Sequence, residues 1–335
     1  MQGVPGSTTL TIPSPLLTGF FSFWNCIGLD VSGLTMDMVR PGFSHGTVTA
    51  LNKNNFTVTL SNPSVYTFPT TPQAAWLHQA QAILSYDSAT GRPLVNGEDI
   101  YALSPALALS VINTSTIVVE QPPWAPAMGM LGTEVIVRHQ VYSFNAINVY
   151  SSTGVTLRDL TVFTIPGMGF LLVSCVDILL DTVRITKRPD LPMSLCADAV
   201  HMQCSRGFII IRDSHFEGQG DDGLNIHGFF NEINATMASQ GNEHRAMQGL
   251  TPTPLKSNQV VLDSNGRGPV SQRIFVGSLY EFRDRKSVQP YFTARLVAFA
   301  ASTNVASFDQ ALPAQAQVRV CLGRSTPLVR DIVSV

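Results

Sequence analysis

One spaced pattern of apolar residues recurs along the chain, and it limits the fold more than any other feature. Two apolar residues separated by one position are followed, after two spacers, by a second such pair. The pattern reads Leu29, Val31, Leu34, Met36, then Val155, Leu157, Leu160, Val162, then Ile178, Leu180, Val183, Ile185, and last Ile209, Ile211, Ser214, Phe216. Alternation of this kind puts every second side chain on one face of a strand, and the two-residue break marks a bend. A second column precedes it: Ile147 and Val149, Phe170 and Leu172, Val200 and Met202, Leu224 and Ile226. Its first members are separated by steps of 23, 30 and 24 residues. Units of this length cannot bury an apolar face alone and do so by stacking. The expected fold is all-β, a right-handed parallel β-helix interrupted by two β-barrel or hairpin insertions. The longer middle step predicts a loop near residues 187–195, where Arg188-Pro189-Asp190 and Leu191-Pro192 supply turn chemistry.

The divisions follow from where the pattern is present. Residues 1–40 hold a first coil, and 41–130 read as a β-barrel-like insertion, with alternating stretches such as Phe56 to Leu60 between Asn-rich turns. Residues 131–230 carry the coils with the candidate site, and 231–335 read as a second β-rich insertion. No polar cap follows, so the chain is expected to be truncated.

Composition narrows the function. Charged residues are 13% of the chain and the formal net charge is -2. Without a basic run there is no electrostatic footprint for a phosphate backbone, which argues against nucleic acid as a partner. No apolar run is long enough for a membrane-spanning helix. No leader peptide is visible at residues 1–15. The N-x-S/T sequons at Asn55, Asn113 and Asn234 suit an extracellular or secretory location. The five cysteines are irregularly spaced with no C-x-x-C pair, a pattern of neither zinc sites nor disulfide frameworks.

Registering the two richest coils aligns Asp198-Ala199-Val200-His201-Met202 with Asp222-Gly223-Leu224-Asn225-Ile226. Equivalent residues on neighbouring parallel strands lie about 4.8 Å apart, so Asp198 and Asp222 stack and Asp221 points differently beside them. Stacked carboxylates repel, which favours one holding a proton while its neighbour stays ionised. Glycoside hydrolysis needs that division between an acid and a base. His201, Asn225 and His227 are candidates to hold sugar hydroxyls, and Arg188 on the adjacent loop is a further one. Glycines 218, 220, 223 and 228 bracket the site and predict close approach of backbone and ligand. His215 falls on a spacer position and is expected to be exposed. The aspartates with His201 or His227 also suit a calcium site, but the larger acidic set that calcium draws on is missing. No metal or other cofactor is expected.

These motifs resemble the family 110 glycoside hydrolases. The resemblance rests on Ala197 to His201, the 23-residue step from Asp198 to Asp221, and the run Gly220 to Gly228, with further similarity at Gly132 to His139 and Gly167 to Leu171. Gly223 departs mildly from the small residue usual after the Asp pair. The resemblance implies a parallel β-helix with β-barrel insertions and metal-independent removal of terminal α-1,3-linked galactose with inversion. It also implies a galactose-containing oligosaccharide or glycoconjugate as partner and Asp198, Asp221 and Asp222 as the catalytic group. Two other readings remain: a polygalacturonase-like hydrolase, and a non-catalytic carbohydrate-binding or adhesive β-helix.

Overall fold

A computed structural model describes residues 1–97, 99–101, 103–121, 131–228, 231–233, 255–263, 274–284, 290–313, 320–324 and 329–334. The Asn234 sequon lies outside them. Among the described residues the fold is all-β apart from one 3-10 turn at Pro72–His78. Two parallel sheets run through it. The shorter takes Phe21–Trp24, Ile147–Tyr150, Phe170–Val173, Val200–Gln203 and Leu224–His227 in that spatial order. The longer takes Thr8–Ile12, Ile27–Met38, Thr153–Val162, Val176–Ile185, Arg206–Arg212 and Val329–Ser334. Phe21–Trp24, Ile147–Tyr150, Phe170–Val173 and Val200–Gln203 each pass directly to the next strand of the longer sheet, so successive segments stack as rungs, whereas Leu224–His227 leads into Asn231–Ile233.

The observed register is the one that the apolar spacing predicts. Ile147 pairs with Phe170, Phe170 with Val200, and Val200 with Leu224. In the longer sheet Leu29, Val155, Ile178 and Ile209 align, as do Met36, Val162, Ile185 and Phe216. Apart from Leu224, which is exposed, these side chains meet between the sheets in or against one core that includes Val31, Leu157, Leu180, Phe170, Val200 and Met202. The corners stack as well. Asn25, Ser151, Ser174 and Cys204 each leave a short-sheet strand with φ between 49° and 58°. Short polar residues tolerate this left-handed backbone best after glycine. Side chains tie the corners together: the Cys26 amide donates to Ser152 Oγ at 3.0 Å and the Cys175 amide to Ser205 Oγ at 3.3 Å.

One piece completes the sequence expectation and two differ from it. Phe21–Trp24 supplies the short-sheet rung of the first coil, beside Ile147–Tyr150. Val329–Ser334 returns to the longer sheet beside Arg206–Arg212, where the repeat pattern shows no further coil. Glu134–Arg138, placed by sequence with the parallel coils, instead pairs antiparallel with Phe43–Asn52 and Ala82–Asp87. It belongs to a nine-stranded antiparallel sheet whose core holds Phe43, Phe56, Tyr66, Ile117 and Val137. Leu191 and Met193 of the middle-step loop are buried in that same core. A closed barrel forms from Asn231–Ile233, Gln259–Asp263, Val305–Phe308, Pro290–Ala300, Leu279–Asp284 and Val320–Arg324.

Candidate active site

The short sheet places the carboxylates. Asp198 precedes Val200–Gln203 and Asp221-Asp222 precede Leu224–His227, and the register sets His201 opposite Asn225. Backbone bonds lock the level of both segments: the Ala199 amide donates to the Asp222 carbonyl at 2.9 Å, and the Gly169 amide to the Asp198 carbonyl at 3.0 Å. One carboxylate oxygen from each of Asp198, Asp221 and Asp222 lies within 4.8 Å of the others. The three therefore converge as a group. Asp198 is 2% exposed, whereas Asp221 and Asp222 are exposed.

Each carboxylate has its own support. Asp198 Oδ2 is hydrogen-bonded to His201 Nδ1, while its Oδ1 is buried with no hydrogen-bond partner among the described residues. With Nδ1–H turned to Asp198, His201 Nε2 is left to accept, and the Gln203 amide nitrogen lies 3.0 Å from it and His227 Nε2 2.8 Å. Asn225 Nδ2 donates to Asp222 Oδ2 at 3.0 Å, and Tyr142 Oη donates to Asp221 Oδ2 at 3.2 Å. Burial first, with the nearby Asp221 among the further causes, raises the phenols of both Tyr101 and Tyr142 above the usual range. Both therefore keep their O–H protons: Tyr142 donates to Asp221, while Tyr101 Oη is buried with no hydrogen-bond partner among the described residues.

Beneath the site lies Arg138, fully buried. Its Nη1 donates to the Gly220 carbonyl at 2.8 Å and to the Cys196 carbonyl at 3.3 Å. Its Nη2 reaches Asp99 at 3.2 Å, and its guanidinium lies 4.6 Å from the centre of the Tyr101 ring. One side chain of the antiparallel sheet thus fixes the backbone just before Asp221 and just before Ala197-Asp198. A charge-assisted donor to two carbonyls resists displacement of either.

The predicted substrate-binding residues divide. The structure brings His201, Asn225 and His227 to the carboxylates. Arg188 is engaged elsewhere: Nη1 lies 3.2 Å from Asp37 and 3.4 Å from the Met38 carbonyl, and Nε lies 3.5 Å from Asp190. The loop folds back on the first rung, so its arginine ties that rung to the loop. Of the bracketing glycines, Gly220 is hemmed in: a Cβ there would stand 2.7 Å from both Arg138 Nη1 and the Cys196 carbonyl oxygen. Gly218 has φ +70° and lies against Lys187. Gly223 and Gly228 have space around them. His215 is exposed and 3.5 Å from Glu217. Sequence reasoning missed Tyr101, Tyr142 and Arg138. Arg138 falls in the Gly132 to His139 stretch that carries part of the resemblance, the one signal that pointed toward it.

As a cation site the triad offers three clustered carboxylate oxygens, half or less of the six to eight ligands that calcium takes. As an acid and base set it offers one fixed buried carboxylate facing two exposed ones.

No protein-family model matches the chain. Curated relatives do. It is 26% identical over 153 residues to α-1,3-galactosidase B of Parabacteroides distasonis, covering 45% of this chain and 24% of that protein. It is 30% identical over 115 residues to α-1,3-galactosidase B of Bacteroides fragilis, covering 33% of this chain and 19% of that protein. It is 24% identical over 217 residues to α-1,3-galactosidase A of the same species, covering 61% of this chain and 34% of that protein. The chain is thus similar over part of its length to proteins named α-1,3-galactosidase, and the matched part spans between about a fifth and a third of each of these three.

Proposed function

We propose that this chain carries the active site of a glycoside hydrolase that removes terminal α-1,3-linked galactose. The carrying observation is the convergence of Asp198, Asp221 and Asp222, one carboxylate buried and two exposed, on adjacent rungs. The similarity to α-1,3-galactosidases supplies the sugar and the linkage. In this reading the stacked rungs form a parallel β-helix, right-handed as parallel crossovers almost always are.

The reaction draws on the carboxyl groups and one water. A protonated carboxyl of the set gives its proton to the glycosidic oxygen as the bond to the anomeric carbon breaks. A water on the opposite face bonds to that carbon and loses its proton to a second carboxylate. The product is galactose of inverted anomeric configuration and an alcohol on the remaining glycan. Inversion asks for carboxyl groups about 6.5–9.5 Å apart, wider than the nearest oxygens of the unliganded set. Asp221 and Asp222 are exposed and have room to move apart as sugar and water enter, whereas Asp198 is packed against His201. Tyr142 and Asn225 hold the two exposed carboxylates, and His201 orients the buried one.

A screen of aryl α- and β-glycosides, with NMR of the first-formed anomer, tests this. The expected result is turnover of α-galactosides alone with β-galactose released first. Hydrolysis of polygalacturonate with no turnover of any α-galactoside contradicts it.

A further inference from the structure

The outward face of the short sheet continues away from the aspartates as a column of register partners: Asn225, His201, Leu171, Asn148 and Ser22. At its far half lies a cleft of ≈ 400 Å³ lined in part by Tyr142, Phe144, Asn145, Asn148, Tyr150 and Ser22. That is within the size range of small-ligand sites, about 300–1,000 Å³. We propose that this cleft is a second sugar-binding subsite for the glycan on the leaving-group side of the scissile bond. The site then reads a stretch of chain rather than a terminal galactose alone. The inference rests on the hydrolase reading above and names the kind of substrate that reading takes.

Three observations carry it. The cleft is continuous with the carboxylates through one residue, since Tyr142 lines it and donates to Asp221. From His201 to Asn148 is two rungs, roughly 10 Å, so a saccharide whose terminal unit meets the aspartates extends along the column into the cleft. The lining has the two surfaces that a pyranose presents. Tyr142 is 48% and Phe144 38% exposed, offering ring surface for the apolar faces of a sugar. Opposite them runs a polar ladder: Asn145 Nδ2 donates to Asn148 Oδ1 at 2.8 Å, and Asn148 Nδ2 to Ser22 Oγ at 3.2 Å. Asn145 is itself fixed by the Met168 amide at 2.8 Å. Beyond these bonds Asn148 keeps one amide hydrogen and one carbonyl lone pair for hydroxyls. Exposed aromatics rimmed by ordered amides mark a ligand groove more than an ordinary surface.

The test uses the whole chain with Asp222→Asn, expected to turn substrate over slowly and to leave the cleft intact. Methyl α-galactoside and a linear trisaccharide ending in α-1,3-galactose are titrated calorimetrically, with and without Asn148→Ala or Tyr150→Ala. The trisaccharide is expected to bind about tenfold tighter, with most of that gain lost in either added variant. Asn148→Ala, on the sheet's outer face, serves if Tyr150→Ala does not fold. Equal affinity for the two probes overturns the subsite and leaves the galactoside reading standing. Trisaccharide binding that depends on Asn148, without any binding of methyl α-galactoside, keeps the cleft and overturns that reading. Binding of neither probe overturns both.

Discussion

Replacing Arg138 by Met is expected to damage both stability and activity, because one buried guanidinium joins the antiparallel sheet to the two segments that carry the aspartates. The bonds to Gly220 and Cys196 are charge-assisted, the first partly buried and the second buried, each contributing about 1.5–3 kcal/mol. The partner Asp99 is 58% exposed, so that ion pair adds at most about 1 kcal/mol. The contact with the Tyr101 ring adds about 0.5–1 kcal/mol. These terms overlap, and methionine fills part of the volume, so a net loss of about 3–4 kcal/mol is expected. Urea unfolding of wild type and Arg138→Met measures it. Arg138→Lys keeps the charge but not the fork and should fall between them. Activity on an α-galactoside should fall in the folded fraction too, because the Gly220 carbonyl that Arg138 holds directly precedes Asp221. An Arg138→Met protein within about 0.5 kcal/mol of wild type and fully active would refute the reasoning.

Two further outcomes follow from nearby geometry. Gly220→Ala forces a Cβ to 2.7 Å from the Cys196 carbonyl oxygen and should cost about 1–3 kcal/mol with reduced activity. Gly223→Ala meets only the end of the Gln219 side chain at 3.3 Å and should change unfolding stability little; equal stability losses in the two variants would contradict this. His139 is fully buried between Ser44 and the Gln79 carbonyl. Burial first, then Arg40, holds its pKa well below 6.5. Because the folded value is the lower one, the unfolded chain takes up the proton first. Stability should therefore fall as pH drops below about 6.5, by up to about 1.4 kcal/mol per unit from this group. His139→Gln should flatten that acid slope between pH 7 and 5 in urea midpoints, and an unchanged slope would show that His139 does not cause it.

The rungs were legible because stacking favours an apolar side chain at the same level in every turn. Ile147, Phe170, Val200 and Leu224 repeat for that reason, and the same register led directly to Asp198 above Asp222. Phe21–Trp24 escaped notice because it carries aromatics on both faces and stands at the sheet edge, only half buried. Glu134–Arg138 holds the unbroken apolar run Val135-Ile136-Val137 of a strand buried on both faces, and nothing local says whether its neighbours run parallel or antiparallel. Tyr101, Tyr142 and Arg138 were invisible for a related cause: they reach the site from connections and from another sheet, and no spacing in sequence encodes that meeting. Arg188 shows the converse. It is close in sequence to Asp198, yet Asp37 and Asp190 hold it elsewhere.

The most direct measurement is kcat/KM for a terminal α-1,3-galactoside with Asp198→Asn, Asp221→Asn and Asp222→Asn, each checked for an unchanged circular dichroism spectrum. Neutral amides keep the shape of the set but can neither give nor take the reacting proton, so each should lose about 10²–10⁴-fold. Full activity in any two of the three folded variants would contradict a shared carboxylate mechanism.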